Sequence, residues 1–116
     1  LTVYFGGDTA YTPTAFTETH RRFPQLDVAL LPICPDEPRE FMEHTHMGPR
    51  QAVDAFALLG ADTMVPMHFD TFINSDDDVG HCAEALQRAV QQRHLDNERV
   101  AILAIGEQRV LIPVRP

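Results

Sequence analysis

The chain opens with a short β-branched and aromatic run, residues 2–5 (TVYF), that breaks at Gly6-Gly7, the pattern of a strand ending in a tight turn. Thr12-Pro13 then supplies a helix N-cap and a proline for the first turn. The helix this predicts runs to about Phe23, carries Phe16, His20 and Phe23 on one face, and is stopped by Pro24. Residues 27–33 (DVALLPI) are apolar without alternation, as in a strand covered on both faces. A long loop with Pro35 and Pro38 follows. Gly48-Pro49 opens a second helix, with Ala52, Val53, Phe56 and Leu59 at helical spacing until Gly60 ends it. Residues 63–67 (TMVPM) read as a third strand. Asp76, Asp77 and Asp78 put negative charge where a helix dipole favours it, and Val79, Cys82, Ala83, Leu86, Ala89 and Val90 then form an i, i+3, i+4, i+7 stripe. Residues 100–105 and 108–114 predict two strands joined by a turn at Gly106-Glu107, an antiparallel hairpin.

The predicted order is β, α, β, α, β, α, β, β, which implies a mostly parallel α/β sheet with right-handed crossovers. In such sheets the loops at the carboxyl ends of the strands share one edge, and ligands bind there. Strand one ends at Asp8, strand two runs into the loop holding His44 and His46, and strand three ends at His68. A carboxylate and up to three imidazoles thus meet on one edge, the donor set of a site for zinc or a similar ion. Asp8 offers two oxygens able to bridge a metal pair, and metals about 3.5–4 Å apart can hold an attacking hydroxide and stabilise a leaving oxygen. Each residue also has a plainer reading: Asp8 as a turn or helix cap, His68 as a hydrogen-bonded structural histidine, His44 and His46 as exposed loop residues. His20 reads as part of a packed helix face, and His81 and His94 as surface or helix-end residues.

Composition narrows the field. At 116 residues the chain is about one domain, 1–116, long enough to bury a core. With 9 basic against 17 acidic residues its net charge is -8, which opposes nucleic acid and anionic lipid as partners. No stretch approaches the roughly 20 apolar residues of a membrane span, and no signal-peptide pattern is present. Two cysteines without a CxxC spacing make no disulfide framework, so a reducing cytoplasm is the expected compartment. The acidic surroundings of Cys34 disfavour a thiolate nucleophile, and it reads as structural. No GxSxG elbow, P-loop or GxGxxG after a strand occurs. The first strand begins within three residues of Leu1, without a lead-in, which suggests a fragment.

The ordered series YFGGDTAY, DVALLPI, EPREFMEHTHMGPRQAVDAF and VPMHFDTF resembles the second half of the metallo-β-lactamase superfamily. Its nearest branch is the one holding N-acyl-phosphatidylethanolamine phospholipase D and the L-ascorbate 6-phosphate lactonase-like hydrolases. The resemblance covers roughly residues 4–72; beyond Phe72 it holds only in pattern. It implies half of an αββα sandwich, with helices on one face of the sheet and a zinc pair at the edge between the halves. Asp8 corresponds to the bridging metal ligand, His68 to a ligand of one metal, and His46 to a residue that helps bind or polarise substrate. His44 matches no ligand. Cys34 and the HFDTF stretch depart from the family pattern, and Asp70 brings an extra acid near the site. The HxHxDH motif of the first half is absent from these 116 residues.

Two expectations follow. The first is the carboxyl-terminal part of a zinc-dependent hydrolase acting on a phosphodiester, lactone or related ester, small or lipid-like, the chain alone being inactive for want of ligands. The second is a non-catalytic half-sandwich module that self-associates or pairs with another chain. Either way, strands apolar on both sides call for a covering partner, a first half of the fold or a second copy.

Overall fold

The structure, a computed structural model, describes residues 1–111. Its sheet has three parallel strands in the order β1 (Val3–Phe5), β2 (Val28–Pro32) and β3 (Thr63–Met67). Each crossover carries helix: α1 (Pro13–Arg22) between β1 and β2, then α2 (Arg39–Met42) and α3 (Pro49–Leu59) between β2 and β3. Helix α4 (His81–Gln92) and a 3-10 turn (Asn97–Arg99) follow β3.

Register explains which side chains meet the helices. Val3, Val28 and Thr63 pair across the sheet, as do Tyr4, Ala29 and Met64, so residues on one row share a face. Ala29, Leu31 and Met64 are fully buried in one core with Phe16 of α1, Phe56 and Leu59 of α3, and Leu86 and Val90 of α4. On the opposite face Val3 is 49% and Phe5 69% exposed. The helices therefore lie on one face, as the family resemblance implied, and the other face is partly open: Val28 and Pro32 are buried there, and Leu30 and Val65 are half-buried.

Helix α3 shows the sequence rules at work. Gly48 is its N-cap, Pro49 its first residue, and Gly60 its left-handed C-cap at φ 66. His20 of α1 lies against that cap, its Nδ1 3.0 Å from the Leu59 carbonyl, so His20 is a tether between helices. Of the face expected on α1, Phe16 is buried whereas Phe23 is 55% exposed. Further along, Arg99 donates to the Ala61 and Asp62 carbonyls at 2.8 and 2.9 Å and lies over the Phe56 ring. It fastens the segment after α4 to the loop before β3.

Three expectations are corrected. The loop after Pro38 forms a helical turn, α2, because Met42 buries its side chain and lifts the loop off an extended path. Helix α4 begins at His81, not at the three acids: Gly80 takes φ 86 and reverses the chain there, leaving Val79 84% exposed. The C-terminal hairpin is not formed across residues 100–111. Val100 makes one parallel bridge to Met64, the turn appears as Glu107 N–H to the Ala104 carbonyl, but the Ala104 N–H is taken by the Glu107 side chain instead of a neighbouring strand. The end of the expected second strand, residues 112–114, lies outside the described residues.

Replacing Gly60 by Ala forces a side chain into the left-handed region, at about 1–2 kcal/mol, and its Cβ would stand 2.8 Å from the His20 ring. Urea unfolding of the full-length protein carrying Gly60→Ala is expected to show that loss. Adding His20→Ala should relieve the contact and leave the backbone part.

Candidate metal site

The Gly6-Gly7 turn has a steric reason. The chain leaves β1 pressed against β2, with the Gly6 N–H donating to the Leu30 carbonyl at 2.9 Å, and a Cβ on Gly6 would fall 3.1 Å from that oxygen. Gly7 then turns at φ 61, a conformation that suits glycine, and delivers Asp8 to the carboxyl edge of the sheet. Asp8 is exposed, and among the described residues no hydrogen bond to its carboxylate is seen.

His68 leaves β3 with its backbone at φ 63, a left-handed conformation uncommon outside glycine. Its Nδ1 lies 2.7 Å from the Cys34 carbonyl at the end of β2. A carbonyl only accepts, so Nδ1 carries the proton and Nε2 presents its lone pair outward, the arrangement that orients metal-binding histidines. His46 follows α2, its N–H bonded to the Met42 carbonyl at 2.7 Å, and its ring stacks on that of His68 with centroids 5.7 Å apart. Its Nδ1 is buried without a partner. Burial pushes the His46 imidazole below its ordinary pKa, His68 and Arg39 add to the push, and Asp8 pulls it back up. His46 is therefore neutral at pH 7, with a lone pair to offer.

The structure thus brings His46 and His68 together and puts Asp8 within electrostatic reach. It does not close them into a finished ligand sphere: among the described residues, three donor atoms lie within 4.8 Å of one another only in Cys34–Asp77–Cys82 and Asp36–Asp77–His81. An orphaned buried nitrogen, an outward Nε2 and an unbonded carboxylate fit a divalent ion, provided that further ligands join them. His44 is exposed. Asp70 accepts the Gly80 N–H at 3.1 Å and so helps to shape the start of α4. Beside His68 a cavity of about 300 Å3 is bordered by Cys34, Phe69, Phe72, Ile73 and Val79.

Sequence reading overlooked one covalent bond here. Cys34 and Cys82 form a disulfide, which removes the ground on which a reducing compartment was expected. Their separation of 48 residues gave no local signal; only the tertiary fold brings them together. The structural reading of Cys34 stands. Among the described residues no helix is long and apolar enough to cross a membrane.

A parallel sheet with helical crossovers, and imidazoles and a carboxylate at its carboxyl edge, defines a protein of the α/β class. More specifically, residues 1–69 match the β-lactamase superfamily domain, and the chain belongs to that family. It is 33% identical over 69 residues to N-acyl-phosphatidylethanolamine-hydrolyzing phospholipase D 1 of Caenorhabditis elegans, covering 60% of this chain and 19% of that protein. It is 32% identical over 110 residues to a metal-dependent hydrolase of Pelotomaculum thermopropionicum, covering 95% of this chain and 41% of the other. With a metal-dependent hydrolase of an Exiguobacterium species the identity is 41% over 75 residues, 62% of this chain and 28% of that one. The chain spans between about a fifth and two fifths of the length of these relatives.

In metal-free protein the His46 ring is expected to titrate below 6.5, its ordinary value. Acid then favours the unfolded chain: this contribution to stability is intact above 6.5 and is lost as pH falls from there through the depressed folded pKa. Imidazole NMR titration should further show Asp8→Asn lowering that pKa and His68→Ala raising it, since Asp8 attracts the imidazolium and His68 opposes it.

Proposed function

We propose that this chain is the carboxyl-terminal part of a zinc-dependent hydrolase acting on a phosphodiester, lactone or related ester. The observation that carries the reading is the His46–His68 pair, with Nδ1 of His68 bound to the Cys34 carbonyl and Nδ1 of His46 left unpartnered. Asp8 and His68 would hold the metal, His68 through the Nε2 left free by its bond to the Cys34 carbonyl, and His46 would face the substrate. Zinc so held supplies the Lewis acidity that ester hydrolysis requires. Neutral His46 can donate to or accept from a substrate oxygen without adding a charge to a site already cationic with metal. The remaining ligands come from residues outside this chain, consistent with the share of each relative that it spans.

The open sheet face supports the same reading. Val3 and Phe5 of the edge strand β1 expose apolar surface on a chain whose other sheet face is packed, and such surface is normally covered. We take the first half of a sandwich as its cover. The same face also favours a second reading, a non-catalytic module that pairs with its own kind.

In the full-length protein, Asp8→Ala and His68→Asn are each expected to lower bound zinc, measured by elemental analysis, and to reduce chelator-sensitive ester hydrolysis by at least about 100-fold. His46→Ala is expected to keep most of the metal and lose turnover. Unchanged metal content and activity in the Asp8 and His68 variants would sink the enzymatic reading. Sedimentation of the isolated chain addresses the second: association is expected, and a compact monomer would count against an uncovered face.

A further inference from the structure

We propose that Asp77 is a positioning residue that sets both histidines of the site through the loop of residues 34–39, an inference that rests on the metal-site reading above. Asp77 lies outside any helix, with its side chain only 5% exposed. A carboxylate so buried needs donors, and it finds them on this one loop and its own turn. One oxygen accepts the Asp36 N–H at 2.7 Å and the Ser75 hydroxyl at 2.7 Å. The other accepts the Glu37 N–H at 3.0 Å, with His81 Nε2 3.5 Å away. The Asp76 N–H returns a bond to the Glu37 carbonyl at 3.1 Å, so the two segments are fastened from both sides.

The loop held in this way carries one tie to each histidine. At its start, the Cys34 carbonyl takes Nδ1 of His68 at 2.7 Å. At its end, Arg39 spans from the Asp36 carboxylate, 3.0 Å, to the His46 carbonyl, 2.5 Å. The disulfide to Cys82 fixes the side chain of Cys34 and makes no bond to the backbone N–H groups that follow. The N–H groups of Asp36 and Glu37 are what Asp77 fixes. Gly48 shows how little slack the far end has: a Cβ there would collide with the Asp36–Arg39 pair.

The cluster Asp36–Asp77–His81 has donor atoms within 4.8 Å of one another and could be taken for a metal site of its own. Its bonding argues otherwise. The Asp77 oxygens already face two backbone N–H groups and a hydroxyl, and Asp36 is paired with Arg39 and His81. The charges are used internally, to hold the loop.

The test compares Asp77→Asn with Asp76→Asn in the full-length protein; both remove one charge from the same turn, and only the first changes a side chain that bonds the loop, since Asp76 meets it through its backbone N–H alone. The two loop N–H groups bond different oxygens of the carboxylate, so in the amide one of them faces an NH2 donor in place of an acceptor. The metal-free readout is the long-range 1H–15N NMR spectrum of His68. Wild type and Asp76→Asn are expected to show the Nδ1–H tautomer, and Asp77→Asn a shift toward Nε2–H. The loaded readouts are zinc affinity by chelator competition, expected to fall about 10–100-fold, and the visible spectrum of the cobalt-substituted protein, expected to change. Ser75→Ala, which keeps the carboxylate and removes one donor, should move the same readouts less and serves if Asp77→Asn fails to fold. An unchanged His68 tautomer in both clamp variants would overturn the role of Asp77. A wild-type protein with the expected tautomer but no zinc dependent on His68 would instead overturn the metal-site reading and leave the clamp standing.

Discussion

The hydrogen bond from His68 Nδ1 to the Cys34 carbonyl joins the ends of β2 and β3 at the one place where the sheet delivers chemistry. It depends on the parallel register that pairs Pro32 with Met67 and so sets the two strand ends level. In an antiparallel arrangement one of those ends would point to the opposite edge, and the carbonyl and the ring could not meet. The bond also decides which nitrogen of His68 is available. Topology, register and tautomer are one constraint seen at three scales.

Around that bond the molecule spends its polar groups unevenly. Most of the core is apolar side chains from α1, α3, α4 and one face of the sheet. Polar bonding of long sequence separation concentrates at the loop after β2, where Asp36 and Glu37 meet Asp77 across about forty residues. A loop that leaves buried strands carries unpaired N–H groups with it, and leaving them unmade inside the protein is costly. Answering them with one carboxylate fixes the loop with little added chain.

Much of this frame was legible in the sequence. Three strands, the helix capped by Gly48-Pro49 and Gly60, and the stripe of α4 follow from period and capping, which are local and additive. The edge that gathers Asp8, His46 and His68 was legible too, because topology alone places strand ends. What escaped was non-local. Asp77 reads as a helix-start charge from its neighbours, but the unpaired N–H groups of a distant loop compete for it, and Gly80 moves the helix start beyond its reach. The Cys34–Cys82 bond escaped for the same reason. The terminal hairpin was expected from two apolar runs around a turn, yet strand formation needs a partner edge, and Ile105 and Val110 face solvent here.

His68 stands at φ 63, and that angle acts as a filter on what the chain can carry there. Left-handed backbone admits glycine freely, admits asparagine, aspartate and histidine at modest cost, and resists β-branched side chains. Drift at position 68 is therefore funnelled toward small polar residues, several of them able to bind a cation or donate a hydrogen bond. A lineage that lost the imidazole would still tend to keep a polar group pointing from the same corner of the sheet, so the corner retains chemical character even where its original ligand is gone.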